Sequence, residues 1–330
     1  MTARPPSRRD GFTAAATLGI TGRYRRQGTE AAEALRLWAE HDDIQLNLVD
    51  DAGSADVVTS AYAGWIDQID LLIGPYASDL VRTVAPLFRG TGQLLWNHGG
   101  SADDLAQPMI VCLAAPASTY FHDLVDLAAQ QQIRQLVIVQ GPGPFARAVA
   151  DGATTRAEHL QLRVRRTDGE HVADTGTAGT AWLVAGHFDH DVKVMQRLRR
   201  KQPAPLLVAA VAAGIRAFGR ELGDDADGIY GPVQWWPDAT TPAIGPSGRD
   251  FFEEYQARTG LEPSYVAAQA AAAGFLARAA HQLQLTAADI TQWRTSTLLG
   301  GFQLEADWRQ VGHRVTTVRW YHGRLARVRP

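Results

Sequence analysis

Short apolar runs alternate with amphipathic stretches along most of the chain, and this alternation constrains the fold more than any other feature. Parallel strands need a crossover between them, so the rhythm reads as βαβ units wound around open sheets. It runs twice. The first block has strands over 17–20, 44–49, 69–73, 93–96 and 109–113, with helices over 29–40, 57–66 and 78–87. The second starts after Ala115, with helices over 120–131, 145–159 and 191–200 and strands over 135–140, 160–164, 181–185, 205–211 and 228–234. Helices over 249–259 and 266–280 follow, then the segment 292–299 and late strands at 302–304 and 316–321, too few strands for a third domain. The tail is therefore expected to return to the first lobe.

At 330 residues the chain exceeds one comfortable core and suits two α/β lobes of roughly 120 to 200 residues each. The expected division is 13–115 plus 240–318 for the first lobe and 116–239 for the second, with 319–330 at the hinge or returning to it. The chain then crosses between lobes near Ala115, near Pro237 and near the C-terminus, and several crossings make a hinge between rigid bodies.

The balance of 32 basic and 35 acidic residues, net charge -3, gives no long-range attraction to nucleic acid or anionic membrane. Cys112 is the sole cysteine, so no intrachain disulfide forms, and its place in an apolar strand reads as a buried inert thiol. No apolar stretch is long enough to span a bilayer. Ser7-Arg8-Arg9 ahead of Phe12 is similar to a twin-arginine leader, yet only a brief Ala-rich stretch follows. The expectation is either a removed leader and an extracellular or periplasmic protein, membrane-associated if anchored, or a cytoplasmic one.

Catalytic and cofactor signatures are weak. Gly22 and Gly28 have the wrong spacing for a dinucleotide fingerprint, and no Walker sequence, His-Glu-x-x-His or Gly-x-Ser-x-Gly occurs. Asp50 and Asp51 end a strand, but Gly53 and Ser54 beside them spell a turn and a helix cap. His187, Asp189, His190 and Asp191 carry metal-ligating groups, but consecutive positions rarely point inward together. The expectation is no catalytic residue, no metal and no cofactor.

Polar and aromatic residues gather instead at the C-terminal ends of predicted strands, where open α/β sheets expose ligand-binding groups. Tyr76 and Ser78 follow one strand, with Ser78 expected to cap the next helix beside its free N–H groups. Asn97, His98, Gly99, Gly100 and Ser101 follow the next, the two glycines allowing close approach to the backbone. His187 and Phe188 stand after a second-lobe strand, and Trp235 and Trp236 after another, offering broad rigid faces. These eleven residues are the candidate ligand-binding set.

At these positions the chain resembles the type I periplasmic binding proteins, specifically the branched-chain amino acid and amide-binding (Leu/Ile/Val-binding-like) family of ABC transporter substrate-binding proteins. The resemblance rests on Leu18-Gly-Ile-Thr-Gly22 with Gly28, Val49-Asp-Asp51, Leu72-Ile-Gly-Pro-Tyr-Ala-Ser78, Val84-Ala-Pro-Leu87, Phe252 to Tyr255 with Gly260-Leu-Glu-Pro263, Tyr265 to Gly274, and Leu299-Gly-Gly-Phe302. It implies a two-lobed fold, each lobe an open, mostly parallel sheet flanked by helices, joined by a multi-strand hinge. It also implies that Ser78, Gly99, Gly100 and Ser101 hold a ligand carboxylate, and that His187 or Phe188 stacks on the ligand. One correspondence fails: family members that bind amino acids carry an acid after the strand at 205–211, and here Val208-Ala-Ala-Val-Ala-Ala-Gly214 has none. The family's tyrosine near Phe145 is also missing, replaced by Gly141-Pro-Gly-Pro144.

The reading is a non-catalytic protein that binds a small organic acid, amide, aromatic acid or amino acid derivative between its lobes. It would deliver that solute to the membrane subunits of an ABC importer, as a monomer, with a dimer as the alternative. The alternatives are a cytoplasmic amide or metabolite sensor of the same fold, an enzyme of unknown reaction, and a partner-binding module with an empty cleft.

Overall fold

The computed structural model describes residues 12–170, 178–201 and 203–328, so the Ser7-Arg8-Arg9 run lies outside the described residues. The chain opens with β1 (Thr13–Leu18), α1 (Arg25–His41), β2 (Gln45–Asp50), α2 (Ala55–Trp65), β3 (Leu71–Ile73), α3 (Ser78–Val84), β4 (Leu95–Asn97) and β5 (Ile110–Cys112). The strands form one parallel sheet in the order β2-β1-β3-β4-β5. β1 reads as an unbroken small-apolar run because both its faces are covered. Ala14, Ala16 and Leu18 enter a core shared with Leu35 and Trp38 of α1, while Ala15 enters another with Val58 and Tyr62 of α2. Ser54 caps α2 by accepting the Val57 N–H at 3.4 Å, and Asp50 and Asp51 take turn N–H groups from Ala52 and Gly53, as a plain turn requires.

The second run is α4 (His122–Gln130), β6 (Gln135–Gln140), α5 (Pro144–His159), β7 (Arg163–Thr167), β8 (Thr180–Ala185), α6 (Phe188–Leu198), β9 (Leu207–Ala210), α7 (Arg216–Leu222) and β10 (Tyr230–Val233). Alternation again sorts the side chains. Leu136 and Ile138 of β6 with Leu183 of β8 pack under α4 and α5, whereas Val137, Val139 and Trp182 pack under α6 and α7. Each fully buried side chain of this size contributes about 1.5–3 kcal/mol against its exposed state.

The tail divides. α8 (Gly248–Thr259) and the Ala-rich α9 (Tyr265–Gln282) pack into the core of the first sheet. There the small residues of α9 let it lie close against Trp38 of α1. β11 (Arg294–Thr297) and β12 (Gly300–Gln303) pair as a separate two-stranded sheet. β13 (Thr316–Tyr321), expected in the first lobe, instead pairs antiparallel with β10 and with β14 (Arg324–Arg327). The second sheet therefore has the order β14-β13-β10-β9-β8-β6-β7. The physical reason is the free edge of β10, which β13 covers while Trp320 fills the core beside Phe218.

Three segments cross between the two sheets, and two glutamines tie them together. Gln234 Oε1 accepts the Ala115 N–H at 3.0 Å and faces His313 Nε2 at 2.9 Å, while its Nε2 donates to the Ala115 carbonyl at 3.1 Å. Gln310 Oε1 accepts N–H groups from Gly312 and His313, and its Nε2 reaches the Cys112 and Leu113 carbonyls at 3.5 Å. One residue from each crossing thus meets in a buried knot.

Candidate functional site

A cavity of about 470 Å³ opens between the C-terminal ends of the strands of both sheets. Wider grooves of about 880 and 790 Å³ lie beside the crossing segments and also draw on both lobes, but the strand-end cleft is the one that takes in the loops after β3, β4 and β8, where open α/β sheets place their ligands. Its first-lobe wall comprises the start of α1, the loop into α3, the loop after β4 and the first turns of α9. Its second-lobe wall comprises Tyr120, the start of α5, the start of α6 and the turn after β9.

Six of the eleven candidates line this cleft: Tyr76, Ser78, Gly99, Ser101, His187 and Phe188. The remaining five do not. Asn97 is fully buried, and its Oδ1 accepts the N–H groups of Gly99 and Gly100 while its Nδ2 donates to the Gly100 carbonyl, so it shapes the loop from within. His98 is fully buried near the Tyr76 ring, with 6.2 Å between ring centroids. Neither of its ring nitrogens has a close hydrogen-bond partner among the described residues, and burial pushes its pKa down to about 4, the nearby Gly74 backbone opposing the shift. Gly100 is buried against Leu105. Trp235 and Trp236 line the two hinge-side grooves instead. Trp235 is buried, with its Nε1 donating to the Leu298 carbonyl at 3.0 Å. Both tryptophans were displaced by chain path: β10 ends at Val233, so they already belong to the crossing.

Two local roles also change. Ser78 is the first residue of α3 rather than its cap, and its Oγ accepts the Ala102 N–H at 3.2 Å. That bond joins two cleft loops and leaves the hydroxyl proton of Ser78 to donate elsewhere. Gly99 serves the loop's own packing, since a Cβ there would lie 2.5 Å from the Tyr76 ring. The capping position of α3 falls to Ala77, which holds φ 88°, a left-handed value that a side chain rarely adopts, on the cleft wall itself.

The structure adds residues that the sequence reading passed over. Tyr265 and Gln269 lie four apart on α9 and both reach the cavity, a polar pair in an otherwise Ala-rich helix that could have signalled this face. Tyr120 and Phe145 meet edge to face at 5.4 Å on the opposite wall. Burial holds the hydroxyls of Tyr76, Tyr120 and Tyr265 protonated, with the Tyr120 pKa pushed up to about 12. Among the described residues lining the cavity, Asp79 is the sole carboxylate, and it is bridged to Arg23. Arg82 also lines it and holds Asp104 through two bonds of 2.6 and 2.8 Å, which keep that carboxyl below its usual range. On the far wall Asp191 is fully buried behind the cleft lining, where its Oδ2 accepts the Ala212 N–H at 3.0 Å and its Oδ1 faces His190 Nδ1 at 3.1 Å. Burial pushes the Asp191 pKa up to about 6. No group of three or more metal-ligating side chains is brought together among the described residues, and none of their helices is long and apolar enough to cross a membrane.

The arrangement can hold a small molecule between a hydroxyl- and arginine-bearing wall and an aromatic one. Residues 13–320 match the periplasmic binding protein family. No curated protein sequence matches the chain. Among solved structures, the chain is similar to the leucine binding protein LivK of Thermotoga maritima, with TM-score 0.79 and 15% identity over 96% of this chain and 98% of that one. It is also similar to the branched-chain amino acid transporter substrate binding protein LivJ of Streptococcus pneumoniae in complex with isoleucine, at 0.78 and 14% over 97% and 100%. An ABC transporter solute binding protein of R. palustris in complex with benzoate gives 0.74 and 14% over 97% and 96%.

Proposed function

The chain belongs to the periplasmic binding protein family, and from that premise we propose that it binds a small organic acid or amide in the interlobe cleft and catalyses nothing. The observation that carries this reading is the charge pattern of the cavity lining. Hydroxyls of Ser78, Ser101, Tyr76, Tyr120 and Tyr265 converge there, while the charged groups of the lining are already paired among the described residues, Asp79 with Arg23 and Arg82 with Asp104. An oxygen-rich, acceptor-bearing ligand finds donors there. A buried ammonium would find no free anion, and an uncompensated charge is costly to bury. The cavity of about 470 Å³ suits a small molecule, and its aromatic wall suits a planar or apolar body. The benzoate complex of the R. palustris relative supports the class, whereas the isoleucine complex of LivJ marks the competing one.

The lobes that close on the ligand are, in this proposal, 13–115 with 240–315 and 116–239 with 316–328. A ligand touching both walls favours the closed state by its differential affinity for it, and the closed monomer docks on the membrane subunits of an ABC importer outside the cytoplasm. A thermal-shift panel of benzoates, keto acids and amides against leucine, isoleucine and valine tests the class, since a ligand of the native state raises its Tm by mass action. Shifts with acids or amides are expected. A shift with the amino acids alone would refute the reading.

A further inference from the structure

We propose that Gln234 fixes the Tyr120 hydroxyl as a hydrogen-bond donor to the ligand, so that the hinge itself specifies an acceptor atom in the cleft. The inference rests on the binding reading above and deepens it by one residue pair. Gln234 is buried at the second crossing and also lines the cavity. Its side chain makes four contacts: Ala115 N at 3.0 Å, Ala115 O at 3.1 Å, Tyr120 Oη at 2.9 Å and His313 Nε2 at 2.9 Å.

The polarity of this set follows from Ala115. A backbone N–H only donates and a carbonyl only accepts, so the amide oxygen must face the N–H and the amide nitrogen the carbonyl. The oxygen has a second lone pair, and it faces His313 Nε2. His313 is buried and neutral at physiological pH, its pKa pushed down to about 4, so it has one ring proton; the Leu299 backbone competes for it, and the Gln234 oxygen at 2.9 Å assigns it to Nε2. The amide nitrogen has a second hydrogen, and it points at the Tyr120 oxygen. All four valences of the amide are then used. Tyr120 accepts from Gln234 and keeps its own proton to give away.

Within the cleft the group beside that proton is the hydroxyl of Ser101. It is a neutral acceptor, and a ligand carboxylate displaces it, since bonds to ionised oxygens are roughly twice as strong. The chain Ala115–Gln234–Tyr120, with His313 at its other end, thus joins the occupied cleft to all three crossings. Gln234 acts here as a positioning residue and Tyr120 as the ligand contact.

The test has two arms. In ligand-free wild-type protein at pH 7, nitrogen NMR of His313, assigned by its loss in His313→Asn, should show the Nε2–H tautomer. An Nδ1–H tautomer would set a nitrogen lone pair against the Gln234 oxygen, contradict the amide orientation taken from Ala115 and overturn the proposal whatever the protein binds. In the second arm benzoate is titrated calorimetrically into wild type, Tyr120→Phe, Gln234→Glu and the double variant. The Gln234→Glu change replaces both donated hydrogens by an acceptor, which draws the Tyr120 proton away from the cleft. Each single variant should lose about tenfold in affinity, the scale of one charge-assisted bond, and the double variant no more than either. Wild-type affinity in Tyr120→Phe, or losses that multiply, would overturn the proposal. Wild type that ignores benzoate while showing the Nε2–H tautomer would refute the ligand class and leave the relay polarity standing.

Discussion

The two walls of the cleft are built from similar sheets yet differ in chemistry. The first-lobe wall presents Ser78, Ser101, Gln269, Arg23 and Arg82, and beneath it lies the buried base His98. The second-lobe wall presents Phe145, Phe188, Val211 and Ile215, and beneath it lies the buried acid Asp191. The first-lobe wall is the more polar, although it also carries the rings of Tyr24, Tyr76 and Tyr265, and the second-lobe wall is the more apolar, with Tyr120 and His187 as its polar groups. Burial acts on oppositely charging groups behind them, so His98 and Asp191 should answer acid in opposite directions.

The sign follows from which state takes the proton first. His98, and His313 at the hinge, have folded pKa values of about 4 against 6.5 ordinarily. The unfolded chain protonates first, so their stabilisation is complete above pH 6.5 and is lost as pH falls toward 4, by about 3 kcal/mol each. Asp191 has a folded pKa of about 6 against 3.8. There the folded protein protonates first, so a penalty present above pH 6 is relieved as pH falls toward 4, by about 3 kcal/mol. Hydrogen exchange at pH 7 and about pH 4.5, the interval these shifts define, should show first-lobe amides losing protection relative to second-lobe amides. His98→Gln should flatten the first-lobe loss and Asp191→Asn should remove the second-lobe gain. Parallel losses in both lobes, unchanged by either substitution, would break the comparison.

A smaller effect separates the walls by ligand. Ser78→Ala removes a hydroxyl from the polar wall and should weaken benzoate and butanoate alike by about 1–2 kcal/mol. Phe145→Ala removes the aromatic cover and should weaken benzoate by about 1–2 kcal/mol while leaving butanoate almost unchanged. Calorimetry on the four combinations reads this out, and equal losses for both acids in Phe145→Ala would erase the division of labour.

The smallest effect compares two helix starts. α3 begins after Ala77 at φ 88° and α5 begins after Gly143 at φ 96°, one on each wall. Only glycine holds such a backbone without strain, so Ala77→Gly should stabilise by about 1 kcal/mol and Gly143→Ala should destabilise by a similar amount. Denaturant midpoints decide it. A destabilised Ala77→Gly would mean that the methyl packs more than the backbone strains.

The sequence carried the two sheets well wherever an apolar run was buried on both faces, as in β6 at Gln135–Gln140 and β8 at Thr180–Ala185. It carried less where partners are distant in the chain. Nothing local in Thr316–Tyr321 tells which sheet edge is open, and the strand went to β10 rather than to the first lobe. α7 escaped notice because its buried stripe is only Phe218 and Leu222, with Gly219 between them. At the cleft, residues directly after strands were visible from strand ends alone. Tyr120, Tyr265 and Gln269 were not, because Tyr120 comes from the turn ahead of α4 and the other two from α9, packed in from far along the chain. Trp235 and Trp236 were misplaced for the converse reason: they follow a strand that feeds a crossing, not the cleft.

The central claim is that this cleft holds an acidic or carbonyl oxygen and has no place for an ammonium. The most direct measurement titrates two ligands that differ by that group alone, 3-phenylpropanoate and phenylalanine, into the same protein by calorimetry. The account predicts that the acid without the ammonium binds at least about tenfold tighter, a difference of about 1.4 kcal/mol. Phenylalanine binding as tightly as 3-phenylpropanoate, or more tightly, would contradict it.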